Sequence, residues 1–192
     1  MKKKVGLFFG SFNPVHIGHL IIANTIAQNS DLDSVQFIVS PQNPFKKQSG
    51  LAHEHDRLMM IEDAIEGIDH LSVSDVEFNM PKPSYTIDTL TYLSDKNPKN
   101  EYVLLMGQDN LTHFHKWKNY ESILDLHRIY VYPRPHVKGS SFDKHEKITL
   151  LDVPLLDISA THIRKQVKEN KSIRFLVAPE VESYIFKKGM YL

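Results

Sequence analysis

The chain has 192 residues, with 23 Lys plus Arg against 23 Asp plus Glu, no cysteine, and 41% apolar and 24% charged residues. Zero formal charge excludes sequence-independent nucleic-acid binding, which draws its affinity from phosphate neutralisation, and docking on anionic membrane by bulk charge. The missing cysteine removes disulfides, Cys-ligated zinc, iron–sulfur clusters and thiol nucleophiles, fits a reducing cytoplasm, and leaves a chain of the length of one domain, residues 1–192.

Met1-Lys2-Lys3-Lys4 is basic, but the apolar residues 5–9 behind it are too few for a signal h-region and read as a first strand. No apolar run approaches the roughly 18 residues of a membrane span. A helix is expected over 18–28, a strand over 35–39, and a Pro-containing loop over 40–53. In the next helix, 55–66, Leu58, Ile61 and Ile65 follow the helical repeat and Gly67 is placed to end it. A strand over 71–78, a loop over 79–84 and a helix over 87–93 follow. Then come strand 102–106, loop 107–118, helix 120–126, strand 129–132, loop 133–142, strand 148–153 and helices 160–168 and 180–187. Several strands are near-continuously apolar, as strands covered on both faces tend to be. Strand and helix alternating at this spacing predict an α/β fold, an open and mainly parallel sheet with helices on both faces. Ligands then bind beyond the carboxyl ends of the strands.

The loop after the first strand carries the densest chemistry: Gly10-Ser11-Phe12-Asn13-Pro14-Val15-His16-Ile17-Gly18-His19. A glycine at a strand end admits close backbone approach, and a helix starting near His16 offers free N–H groups and a positive dipole end to an anion. His16 and His19 share one face of the first helical turn. Gly18 leaves room where something bulky comes close. Two imidazoles and free N–H groups beside Ser11 suit phosphate, above all charge developing in a transition state. The Gly-x-Gly-x-x-Gly and Gly-x-x-x-x-Gly-Lys patterns are both missing, so neither a standard dinucleotide site nor a P-loop is indicated. The pairs His53/His55 and His113/His115 have no cysteine and no carboxylate partner at ligand spacing, and read as solvated loop residues.

His16-Ile17-Gly18-His19, with Ile158-Ser159-Ala160-Thr161-His162-Ile163-Arg164 near the other end, resembles the two signatures of the His-x-Gly-His nucleotidyltransferases, relatives of class I aminoacyl-tRNA synthetases. In the second, Ser159 is a natural N-cap, Thr161 adds a hydroxyl, and Arg164 brings a fixed cation to the same phosphates. Over nearly the whole chain the resemblance is closest to the bacterial nicotinate-nucleotide adenylyltransferases. That resemblance implies a Rossmann-like fold and transfer of AMP from ATP to nicotinate mononucleotide, with Mg²⁺ carried by substrate phosphates rather than by protein ligands. It implies ATP contacts from Gly10, Ser11, Phe12, His16, Gly18, His19, Gly107, Asp109, Ser159, Thr161 and Arg164. Mononucleotide contacts are implied for Asn43 and Lys46 of the Pro41–Lys46 loop, for Ser84, Tyr85 and Thr86, and for Arg134. Trp117 would stack on the pyridine ring. His16, His19, Lys46 and Arg164 would be the catalytic set.

The family's first loop usually reads Gly-Gly-Ser/Thr-Phe-Asp-Pro. Phe9 stands here for the first Gly, and Asn13 for the Asp; Asn13 can hold the turn through its side chain but supplies no charge. Arg57 carries less weight, as a residue able simply to pair with a neighbouring acid. Three rival readings are a pantetheine-phosphate adenylyltransferase, which lacks the Ser-Tyr-Thr and Trp117 features, a non-catalytic nucleotide-binding module, and zinc binding by the histidines. Neutrality also conceals a division: residues 1–96 hold 8 basic and 12 acidic side chains, residues 97–192 hold 15 and 11.

Overall fold

The computed structural model describes residues 2–42 and 50–192. Six strands form one sheet: β1 (Lys3–Gly10), β2 (Ser34–Val39), β3 (Leu71–Ser74), β4 (Asn100–Gly107), β5 (Ile129–Tyr132) and β6 (Ile148–Leu150). Their order is β3-β2-β1-β4-β5-β6 and every pairing is parallel. β1 and β4 are neighbours although the chain leaves β1 toward β2 and leaves β4 toward β5. The strand order therefore reverses between them, and a crevice opens at their carboxyl ends.

Alternation along each strand sends side chains to two separate cores. On one face Phe8, Phe37, Val103, Leu105 and Tyr130 pack with α1 (Ile17–Asn29), α2 (Glu54–Ala64), α6 (Ala160–Lys168) and α7 (Pro179–Lys188). On the other, Leu7, Ile38, Leu104, Met106 and Val131 pack with α3 (Thr86–Lys96), α4 (Gln108–Thr112) and α5 (Tyr120–Leu126). The helices bury stripes at helical spacing: Ile22 and Ile26 in α1, Ile87 and Leu90 in α3, Ile163 and Val167 in α6. Leu7 and Leu104 face each other across β1 and β4, both wholly buried. Each such side chain contributes roughly 1.5–3 kcal/mol by leaving water.

Three expectations shift. The run 71–78 is a strand only to Ser74, because the Ser74 hydroxyl accepts the Val76 N–H at 3.2 Å and Val76–Asn79 close into a 3₁₀ turn. The run 148–153 is a strand only over Ile148–Leu150. The loop 107–118 contains α4 and a 3₁₀ turn over Phe114–Lys116. His53 is exposed but is also the N-cap of α2, its Nδ1 accepting the His55 N–H at 3.3 Å ahead of the acidic first turn of Glu54 and Asp56. Among the described residues no helix is long and apolar enough to cross a membrane.

Candidate active site

β1 ends at Gly10, and α1 begins at Ile17 with His16 as its N-cap. Between them Phe12 takes a left-handed backbone, φ 45°, a conformation that costs a non-glycine residue of the order of 1 kcal/mol. Its ring is buried edge-on against Phe8, Phe37 and His19. The His16 and His19 rings stack at 3.6 Å between centroids, 23° apart. The His16 N–H donates to Nδ1 of His19 at 3.3 Å. Nδ1 of His19 is thus an acceptor, and the neutral ring carries its proton on Nε2. His16 is buried, and burial first, then the Arg134 charge, lowers its pKa to about 4. It is therefore a neutral imidazole at pH 7, and its Nδ1 has no hydrogen-bond partner among the described residues.

The glycines make room for the site's own side chains. A Cβ on Gly18 would stand 3.1 Å from Nδ1 of His16, and one on Gly10 would stand 2.7 Å from the Phe12 ring. A Cβ on Gly107 would strike the Asp109 carboxylate and lie 3.2 Å from Nε of Arg134. Asp109 and Arg134 pair loosely at 3.7 Å, with the Arg134 guanidinium over the Tyr132 ring.

From the second signature, Ser159 caps α6 by accepting the His162 N–H at 3.2 Å. Arg164 donates to the Thr161 hydroxyl at 3.2 Å and to the Asn13 carbonyl at 2.7 Å, 151 positions away. Both signatures therefore meet at one edge of the sheet. Among the described residues Arg57 makes no hydrogen bond to an acid. Wholly buried, it donates to the carbonyls of Ser11, Ser40, Pro41 and Ala52, at 2.5, 2.8, 3.3 and 3.0 Å, and so joins the exits of β1 and β2.

These residues frame a cleft of about 690 Å³. Of the proposed ATP contacts, Gly10, Ser11, Phe12, His16, His19, Asp109, Ser159, Thr161 and Arg164 line it, and Gly18 and Gly107 do not. Arg134 lines this cleft too. A second cavity of about 100 Å³ is lined by Ser84, Tyr85, Thr86 and Trp117, together with Glu77 and Lys118. Phe9, Gly10 and Asn110 line both cavities, so the two form adjoining compartments over the crevice. Asn43 and Lys46 lie outside the described residues.

Glu77 has no forerunner in the sequence reading. Its buried carboxylate accepts from the Ser84 hydroxyl at 2.6 Å and the Thr89 hydroxyl at 2.7 Å, and so fixes the entry to α3. Trp117 packs edge-on to Phe114. Lys118 lies over the Tyr85 ring and pairs with Asp88 at 2.9 Å. Among the described residues no three His, Asp or Glu side chains stand together as a cation site.

The family model for cytidylyltransferase-like proteins matches residues 7–166, a span that holds both signatures. The chain belongs to the cytidylyltransferase-like family. A Cytophaga hutchinsonii protein named probable nicotinate-nucleotide adenylyltransferase is 55% identical over 98% of each chain. A Christiangramia forsetii protein of the same name is 49% identical over the full length of both. Both relatives carry the name of a nicotinate-nucleotide adenylyltransferase and match the chain over nearly its whole length. Among solved structures, Plasmodium falciparum nicotinic acid mononucleotide adenylyltransferase complexed with NaAD superposes with a TM-score of 0.84. It covers 98% of this chain and 97% of its own at 20% identity, a likeness of fold.

Proposed function

We propose that the chain transfers the AMP group of ATP to nicotinate mononucleotide, releasing pyrophosphate and forming the dinucleotide. The observation that carries this reading is the pair of adjoining compartments, a large cleft lined by His16, His19, Arg134 and Arg164 and a small aromatic one, that share the β1 exit. Full-length identity of about half or more to proteins named for this activity supports it. A phosphate oxygen of the mononucleotide attacks the α-phosphorus in line; the bond from that phosphorus to the bridging oxygen breaks, and pyrophosphate leaves with the electron pair. Such a transfer needs position and charge stabilisation and no protein nucleophile.

In this reading the ATP phosphates lie along His16, His19 and the Gly10–Phe12 backbone. His16 stays neutral and acts by hydrogen bonding, while Arg164 meets the charge on the departing pyrophosphate with Ser159 and Thr161 beside it. Asp109 takes ribose hydroxyls, and Gly18 and Gly107 act by making room for His16 and for Asp109. Lys46 would supply a further cation, and Asn43 a mononucleotide contact. Arg134, in the cleft, faces the mononucleotide phosphate as it approaches the α-phosphorus. In the small compartment the pyridine ring stacks on Trp117, and its carboxylate meets the N–H groups of Tyr85 and Thr86 at the start of α3, with Lys118 nearby. Mg²⁺ would be held by the substrate phosphates and would neutralise their charge. A cytoplasmic setting belongs to the same proposal and accords with the cysteine-free composition.

The experiment is pyrophosphate release by the purified chain given ATP, Mg²⁺ and either nicotinate or nicotinamide mononucleotide. Release is expected with nicotinate mononucleotide, and no release with either would overturn the assignment.

A further inference from the structure

Asn13 is bonded to three distant parts of the chain. Its Nδ2 donates to the Gly50 carbonyl at 2.9 Å, and its Oδ1 accepts the Ala52 N–H at 3.1 Å and the Tyr191 hydroxyl at 2.8 Å. Its own carbonyl accepts from Arg164. Asn13 is buried and lines the larger cleft. A carboxylate here could accept but not donate to Gly50, so the amide uses a capacity that an aspartate lacks.

The Tyr191 contact is assembled by the chain terminus. α7 ends in a Schellman turn: Gly189 is left-handed at φ 61°, its N–H reaches the Phe186 carbonyl at 3.2 Å, and the Met190 N–H reaches that of Ile185 at 3.0 Å. The turn reverses the chain, and Tyr191 itself takes a left-handed φ of 65°, a cost for a non-glycine residue that surrounding contacts must offset. Met190 and Tyr191 pack on the α1-side core. Burial pushes the Tyr191 phenol well above its ordinary range, so it remains a donor.

We propose that Tyr191, just beyond α7, is a positioning residue for the nucleotide cleft. Acting through Asn13, it holds the loop that carries His16 and His19 in register with Arg164. The proposal rests on the adenylyl-transfer reading and adds a latch that closes the first loop from the far end of the chain. Among the described residues, Asn13 lines the larger cleft and neither Asn13 nor Tyr191 lines the small compartment, so the latch acts chiefly on ATP.

The test is Tyr191→Phe, which keeps the packed ring and removes only the hydroxyl. Loss of one such hydrogen bond is expected to raise Kd for ATP, by calorimetry, and lower kcat/KM for ATP, each about three- to tenfold. Kd for nicotinate mononucleotide should be unchanged. In an Asn13→Ala background the same substitution should have no further effect, because the two residues act as a unit. A Tyr191→Phe chain with wild-type ATP affinity would overturn the latch, as would equal weakening toward both substrates or full additivity with Asn13→Ala. A wild-type chain without turnover would strike the adenylyl-transfer reading, and the ATP titration would still decide the latch.

Discussion

His16 enters the fold as a neutral group, and that has a cost in acid. With its pKa lowered to about 4 from 6.5, the folded state declines a proton that the unfolded chain accepts between those values. Its contribution is present in full above about pH 6.5 and is lost as the pH falls toward 4, a loss of roughly 3 kcal/mol at most. Urea unfolding at pH 7 and pH 4.5 should therefore show a smaller acid loss for His16→Gln than for the wild-type chain. An equal loss in both would mean that the imidazole is solvated. The residue-scale surprises share a cause. From sequence Arg57 reads as a residue able to pair with a neighbouring acid, because its true partners are backbone carbonyls, and carbonyls carry no sequence signature. Glu77 was invisible for a related reason: its partners Ser84 and Thr89 come from the far side of a turn.

At the scale of elements, the strands were legible because a sheet covered on both faces must be apolar nearly throughout. The ends were less so. Val76 and Phe78 prolong the apolar pattern past Ser74, yet the Ser74 hydroxyl diverts the chain into a 3₁₀ turn. α4 has five residues, too few to show a helical period. The two signatures were legible as helix starts, and the Ser159 cap is formed as their spacing suggests. What could not be read was the use of Gly18, which depends on where the His16 ring lies. A Cβ there would stand 3.1–3.2 Å from that ring. Gly18→Ala should thus separate two effects. Helix propensity favours Ala by about 1 kcal/mol, so the melting temperature should hold or rise, while displacement of His16 should cut turnover about tenfold. Unchanged turnover would show that the ring moves aside without consequence.

Across the whole molecule, the parallel sheet brings the exits of β1, β2, β4 and β5 to one edge, and separate devices lock them there. Arg57 ties the exits of β1 and β2; Arg164 ties α6 to the first loop; Tyr191 ties the terminus to the same loop. Arg57→Ala leaves four inward-facing carbonyls without their donor and should cost about 3–5 kcal/mol in urea unfolding, far beyond an exposed arginine. A cost below 1 kcal/mol would place those carbonyls in contact with water. The neutral total charge also resolves at this scale. Arg134 and Arg164, the cleft's described arginines, both come from the basic half of the chain, enough for a polyphosphate and too few for a polyanion. The central claim is that the two compartments join two nucleotides directly. ATP labelled at the α-phosphorus, incubated with the chain, Mg²⁺ and nicotinate mononucleotide, should pass its label into the dinucleotide in step with pyrophosphate, with none on the protein. Label retained in ATP, or bound covalently to the chain, would contradict the account.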